Sequence, residues 1–138
     1  MRFFLIFLVV LLTNCSKSKC ELELMKTIVV EKTYNDQDIH YVLLKGFKKE
    51  CLDSVVIIGI ANKYIDSVSS GSCSMIKFFS SDNNFIPGEI SQDINIYKDC
   101  LVAIKLDGKE IKSFMFFDDN GSMKYFGPYW LPNGIHTN

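Results

Sequence analysis

Ten apolar residues, Phe3 to Leu12, follow a single positive charge at Arg2 and give way abruptly to Thr13, Asn14 and Cys15. The next four residues, Ser16 to Lys19, are all polar. A charged start, a short apolar stretch and a polar switch are the layout of an export signal. Crossing ~30 Å of hydrocarbon takes about 20 helical residues. Ten therefore address the chain to an envelope without spanning it.

Beyond Cys20 the pattern becomes that of a folded domain. Ile28, Val29 and Val30 lie in one β-favouring run and Tyr41 to Leu44 in another, with turn-rich Tyr34-Asn35-Asp36-Gln37 between them. This predicts a hairpin over 25–47. His40, in the second run, is expected at a surface or edge position. From Cys51 to Val68 two signals compete. Val55, Val56, Ile57 and Ile58 favour a strand. However, Ile57, Ala61, Tyr64, Ile65 and Val68 share one helical face, with Asn62, Lys63 and Asp66 opposite. That period, with Asp53 or Ser54 as N-cap and Gly71 as a stop, predicts a helix. Gly59 weakens such a helix and calls for a close neighbour.

Met75 to Phe79 reads as a short strand. Residues 80–99 hold Asp82, Asn83, Asn84, Pro87 and Gly88 and read as a long loop, in which Ile94, Ile96 and Tyr97 form a brief helix or edge strand. Long loops are often functional. Asp107-Gly108 and Asn120-Gly121 then read as two-residue type I′ turns. They place Lys105 opposite Glu110, Ile104 opposite Ile111 and Phe116 opposite Tyr125. One face of this meander would carry Val102, Ile104, Ile111, Met115 and Phe126, and the other Leu101, Phe114, Phe116 and Tyr125. Pro128-Tyr129-Trp130-Leu131-Pro132 cannot be a ladder strand. It is either a lid over the core or an exposed aromatic patch. The expected fold class is α+β: an antiparallel sheet of about five or six strands with one main helix packed on one face.

Composition narrows the function classes. Without Arg2 the chain has 14 basic and 16 acidic residues and no long basic run. Nucleic-acid binding, which needs a basic stripe, is set aside. After Cys15 the cysteines are Cys20, Cys51, Cys73 and Cys100, an even number that allows two disulfides in three connectivities. A helix of about 16 residues would hold its ends ~24 Å apart. The five residues back to Cys73 reach at most about 18 Å, so Cys51–Cys73 is disfavoured. Free buried thiols are the alternative. Spacings of 31, 22 and 27 residues do not suit zinc.

No catalytic motif emerges. Asp118-Asp119-Asn120-Gly121-Ser122 lacks the calcium-loop spacing. G-x-S-x-G, the P-loop, G-x-G-x-x-G and H-E-x-x-H are absent. The two histidines, His40 and His136, stand far apart in sequence. The expectation is a non-enzyme with no cofactor and no metal.

Leu12-Thr13-Asn14-Cys15 resembles the lipobox of bacterial lipoproteins, with Leu three before the Cys; Asn14 departs from the usual small residue. The resemblance covers about the first 16 residues. It implies diacylglycerol on the Cys15 thiol, cleavage before Cys15 and acylation of the new amino group with a chain such as palmitate. Two or more chains suffice for stable attachment, whereas one gives only marginal binding. Ser16 after the Cys implies the outer membrane. The layout is then a signal peptide at 1–14, a lipidated Cys and tether at 15–24, and one domain at 25–138. The alternative is a plain secreted chain with Cys15 in a disulfide.

From residue 53 onward the order of helix, strand, long loop and meander resembles the PepSY-like group of small exported domains. That implies binding or inhibition of proteins. The expected function is a lipid-anchored, non-enzymatic, protein-binding envelope domain, with Phe85, Ile86, Tyr129 and Trp130 as the candidate partner surface. The alternatives are an inhibitor or immunity-type lipoprotein that blocks an enzyme, or a small exported hydrolase.

Overall fold

The computed structural model describes residues 20–68, 72–83 and 94–127. They form one six-stranded sheet whose spatial order follows the chain: β1 (Leu24–Lys32), β2 (Asp38–Lys45), β3 (Cys73–Phe79), β4 (Cys100–Asp107), β5 (Glu110–Phe117) and β6 (Met123–Gly127). One α-helix, α1 (Ser54–Ser67), lies between β2 and β3. Short 3₁₀ turns occupy Lys49–Cys51 and Ile94–Asp99.

The predicted hairpin forms. β1 and β2 pair antiparallel with a bulge between Thr27 and Val29. Their turn is closed by Thr33 N donating to Gln37 O, 2.8 Å, with Asp36 at φ 54°. Asp tolerates this left-handed backbone because its short polar side chain can hydrogen-bond locally.

The helix also forms, and helical period overrides β-branching in Val55 to Ile58. Asp53 caps it, its side chain accepting from Val55 N at 2.9 Å and Val56 N at 3.3 Å. Ile57, Ala61, Tyr64 and Ile65 are the buried stripe. Gly59 corrects the expectation of a close neighbour: a Cβ there would meet nothing within 4 Å.

The sheet is mixed rather than antiparallel throughout. β2 and β3 pair parallel, and the other four pairs are antiparallel. The cause is α1 itself: it carries the chain back along the sheet, so β3 starts beside the start of β2, with Asp38 opposite Cys73. Parallel neighbours require such a crossover. β2, an inner strand flanked by β1 and β3, is buried from His40 to Leu44, as a strand covered on both faces is.

Alternation divides the side chains between two clusters. Val42 and Leu44 of β2, Ile76 and Phe78 of β3, Val102 and Ile104 of β4, and Phe114 and Phe116 of β5 join the α1 stripe in the main core. Tyr41, Phe79 and Cys100 form a second cluster with Val29, Ile39, Tyr97 and Phe117. Full burial of a side chain such as Ile57 or Phe78 contributes about 1.5–3 kcal/mol.

The meander forms with a shifted register. Asp107 faces Glu110, so the first turn is centred on Gly108-Lys109. Gly108 has φ 59° and Lys109 does not share a positive φ, the pattern of type II′ rather than I′. After a bulge, Lys105 faces Ser113 and Ile104 faces Phe114. Phe114 and Phe116 therefore sit with Ile104 in the main core, and Met115 pairs with Ala103 on the opposite face. The acidic pair at the turn is offset by Lys112, whose Nζ lies 2.7 Å from Glu110 Oε2 and 3.9 Å from Asp107 Oδ2. At the second turn Gly121 N donates to Asp118 O at 3.0 Å and Asp118 N to Ser122 O at 2.9 Å. This is a three-residue loop, and a further bulge still brings Phe116 opposite Tyr125.

Candidate functional site

Two places gather polar side chains against the sheet. The first joins α1 to β1 and β2. Tyr64 Oη lies 2.6 Å from Thr27 Oγ1 and 2.8 Å from His40 Nδ1. Its ring meets Phe78 and His40 edge to face. His40 is 3% exposed, which corrects its expected surface or edge position: β2 is an inner strand, and His40 takes the parity of Val42 and Leu44. Burial lowers its pKa, opposed in part by the Asp38 carboxylate, so the imidazole is neutral near pH 7. Asp38 Oδ2 accepts from Ser72 Oγ at 2.7 Å. Asp38 Oδ1 and His40 Nε2 are buried without a protein hydrogen bond.

Cys73 stands opposite Asp38 in this corner. A Cys, a His and an Asp so placed invite comparison with a thiol nucleophile. The chemistry does not support one. Burial pushes the Cys73 thiol up to about 11, so it stays protonated, whereas the nucleophile is the thiolate. Its S–H points to Met75 O at 3.5 Å and not to the imidazole. Among the described residues no group of three or more His, Cys, Asp or Glu could hold a metal ion.

The second place lies within the smaller cluster. Lys77 Nζ donates to Tyr97 Oη at 2.7 Å and to Tyr41 Oη at 3.3 Å, and sits about equally near both rings, 5.0 Å and 4.9 Å from their centroids. Tyr41 Oη in turn donates to Glu31 Oε2 at 2.8 Å. Burial, then this bond to Glu31, raises the Tyr41 pKa. Tyr97 stacks on Phe117, centroids 4.9 Å apart, and tilts against Phe79. The 3₁₀ turn Ile94–Asp99 thus delivers an aromatic ring to a lysine on β3. The cue in the sequence was a single Lys inside the apolar run Met75 to Phe79.

One disulfide forms, Cys20–Cys51, with Cα atoms 5.3 Å apart. Cys73 and Cys100 are free and buried, so the second bridge allowed by the even count does not form. The sheet explains why. Cys100 is paired with Phe79, at the far end of β3 from Cys73, and six residues of strand separate the two by ~20 Å. A disulfide tolerates ~7 Å between Cα atoms. Burial also pushes the Cys100 thiol up.

The remaining sequence candidates, namely the 1–14 signal, Cys15, Phe85, Ile86, Tyr129 and Trp130, lie outside the described residues, as do Gly71 and His136. Among the described residues no helix is long and apolar enough to cross a membrane. No protein family, curated protein or solved structure matches the chain.

Proposed function

We propose that this is a small bacterial lipoprotein, anchored through Cys15 in the outer membrane of the cell envelope, whose domain binds a protein partner without catalysis. The observation that carries the reading is Leu12-Thr13-Asn14-Cys15 at the end of ten apolar residues. The Cys20–Cys51 bridge supports it, since such bonds persist in oxidising compartments and are rare in the cytosol. Burial keeps the Cys73 thiol protonated and its S–H bonds Met75 O rather than the His40 imidazole, so the two are not set up as an activated nucleophile and its base. That favours contact over reaction as the work of the domain.

In this reading α1 covers one face of the sheet. On the other face Tyr41 is buried, and the half-buried Lys77 and Tyr97 beside it are what that side offers a partner. In sequence, Phe85 and Ile86 precede Tyr97, and Tyr129 and Trp130 follow β6. Aromatic residues are enriched at binding hot spots. Replacing Cys15 by Ala should leave the precursor uncut and abolish incorporation of a fatty-acid probe; unchanged incorporation would refute the anchor. Crosslinking in intact cells followed by pull-down should recover a defined envelope protein. Its yield should fall in a Lys77→Ala variant that keeps the wild-type urea transition.

A further inference from the structure

The tether and the helix meet at one covalent point. Cys51, bonded to Cys20, closes the 3₁₀ turn that runs into Asp53, the N-cap of α1. Cys15 stands five residues before Cys20, and that length of chain reaches at most about 18 Å. Without the bridge, the first backbone tie of this segment to the sheet would be Glu23 N to Lys45 O, at the outer hairpin. The disulfide therefore delivers an anchor at Cys15 to the N-terminal end of α1.

Beside the Asp53 cap, that end of the helix leaves two apolar side chains uncovered. Val55 is 78% exposed and Val56 is 44% exposed. Gly59, one turn on, adds no side chain and leaves open space. Charge around it is mixed: Lys48, Glu50 and the capping Asp53 are exposed, and Lys49 is engaged by Asp119. Attraction to anionic headgroups is thus a minor contribution. The exposed valines are what the helix end offers a partner.

We infer that Val55 and Val56 form the lipid-facing surface of the domain, held against the interface of the bilayer in which Cys15 is anchored. The inference rests on the lipoprotein reading. The occupant is set by where the chain outside the described residues must lead: a leash of five residues, fixed to Cys51, keeps this turn beside the acyl chains. The β1–β2 turn lies at the other end of β1, roughly 30 Å away for nine residues of strand, and Tyr34 there is fully exposed.

The test places a photo-crosslinking amino acid at Val55 or at Tyr34 in the full-length protein expressed in its own envelope, and quantifies phospholipid adducts. At least fivefold more lipid adduct is expected at position 55 than at 34. In a Cys20→Ser, Cys51→Ser variant the adduct at 55 should fall severalfold while fatty-acid labelling persists. Equal lipid adducts at both positions, adducts at 55 that are protein and not lipid, or no effect of removing the bridge in a folded variant would overturn the inference. Circular dichroism identifies a variant that fails to fold, in which case the comparison of 55 with 34 in the bridged protein decides. Absence of fatty-acid labelling in the unmutated chain would instead overturn the lipoprotein reading, and this inference with it.

Discussion

His40 shows how one side chain couples the fold to pH. Its imidazole is buried in an inner strand, and its Nδ1 meets the Tyr64 hydroxyl, which also meets Thr27. Burial lowers its pKa in the folded chain below 6.5. The unfolded chain then takes up the proton first, so stability is lost as pH falls through about 6.5 toward the folded value. The unfolding free energy from urea titration should drop between pH 7.5 and 5.5, with a slope of at most about 1.4 kcal/mol per pH unit. A His40→Gln variant should lack that component; a parallel pH profile for the two would contradict the assignment. The cysteines make a second residue-scale prediction. With Cys15 lipidated, the denatured and unreduced protein should show two thiols, Cys73 and Cys100, and the native protein should react slowly because both are buried and protonated. Neither result was readable from the sequence. Parity places His40 inside only once β2 is known to be an inner strand, and cysteine spacing does not fix pairing.

Local signals were enough for the helix and the hairpins. The period of Ile57, Ala61, Tyr64 and Ile65 appears as read, and of the two candidate caps, Asp53 and Ser54, the helix uses Asp53. Asp53→Ala should cost about 1 kcal/mol, since two amide donors lose their acceptor. Gly59→Ala should raise stability by about 0.5–1 kcal/mol, because the position is helical and a methyl group meets nothing there. Urea unfolding measures both, and a destabilised Gly59→Ala variant would reveal a hidden contact. The parallel pairing of β2 with β3 was not legible, because it depends on where α1 returns the chain and not on any local run. The register of β4 with β5 was misread for a smaller reason. In Asp107-Gly108-Lys109 the glycine takes the first central position of the turn, and the bulge at Lys105/Leu106 follows.

For the molecule as a whole, the disulfide would link the fold to the proposed anchor. It joins Cys20 to Cys51 across 31 residues, and closing a loop of that length stabilises by about 3–4 kcal/mol in the chain-entropy treatment. Reduction should therefore lower the urea midpoint markedly while leaving the helix and sheet recognisable by circular dichroism. A midpoint unaffected by reductant would show the bridge to be structurally idle. The proposed envelope address rests on contiguous residues, which a sequence displays directly, whereas a cluster such as Lys77 with Tyr97 is assembled from distant ones and was not legible. The most direct measurement of the central claim is intact mass spectrometry of the mature protein extracted from membranes. The account predicts a chain beginning at Cys15 and heavier than its sequence by a diacylglycerol and an N-acyl group. A chain beginning at another residue, at its unmodified mass, would contradict it.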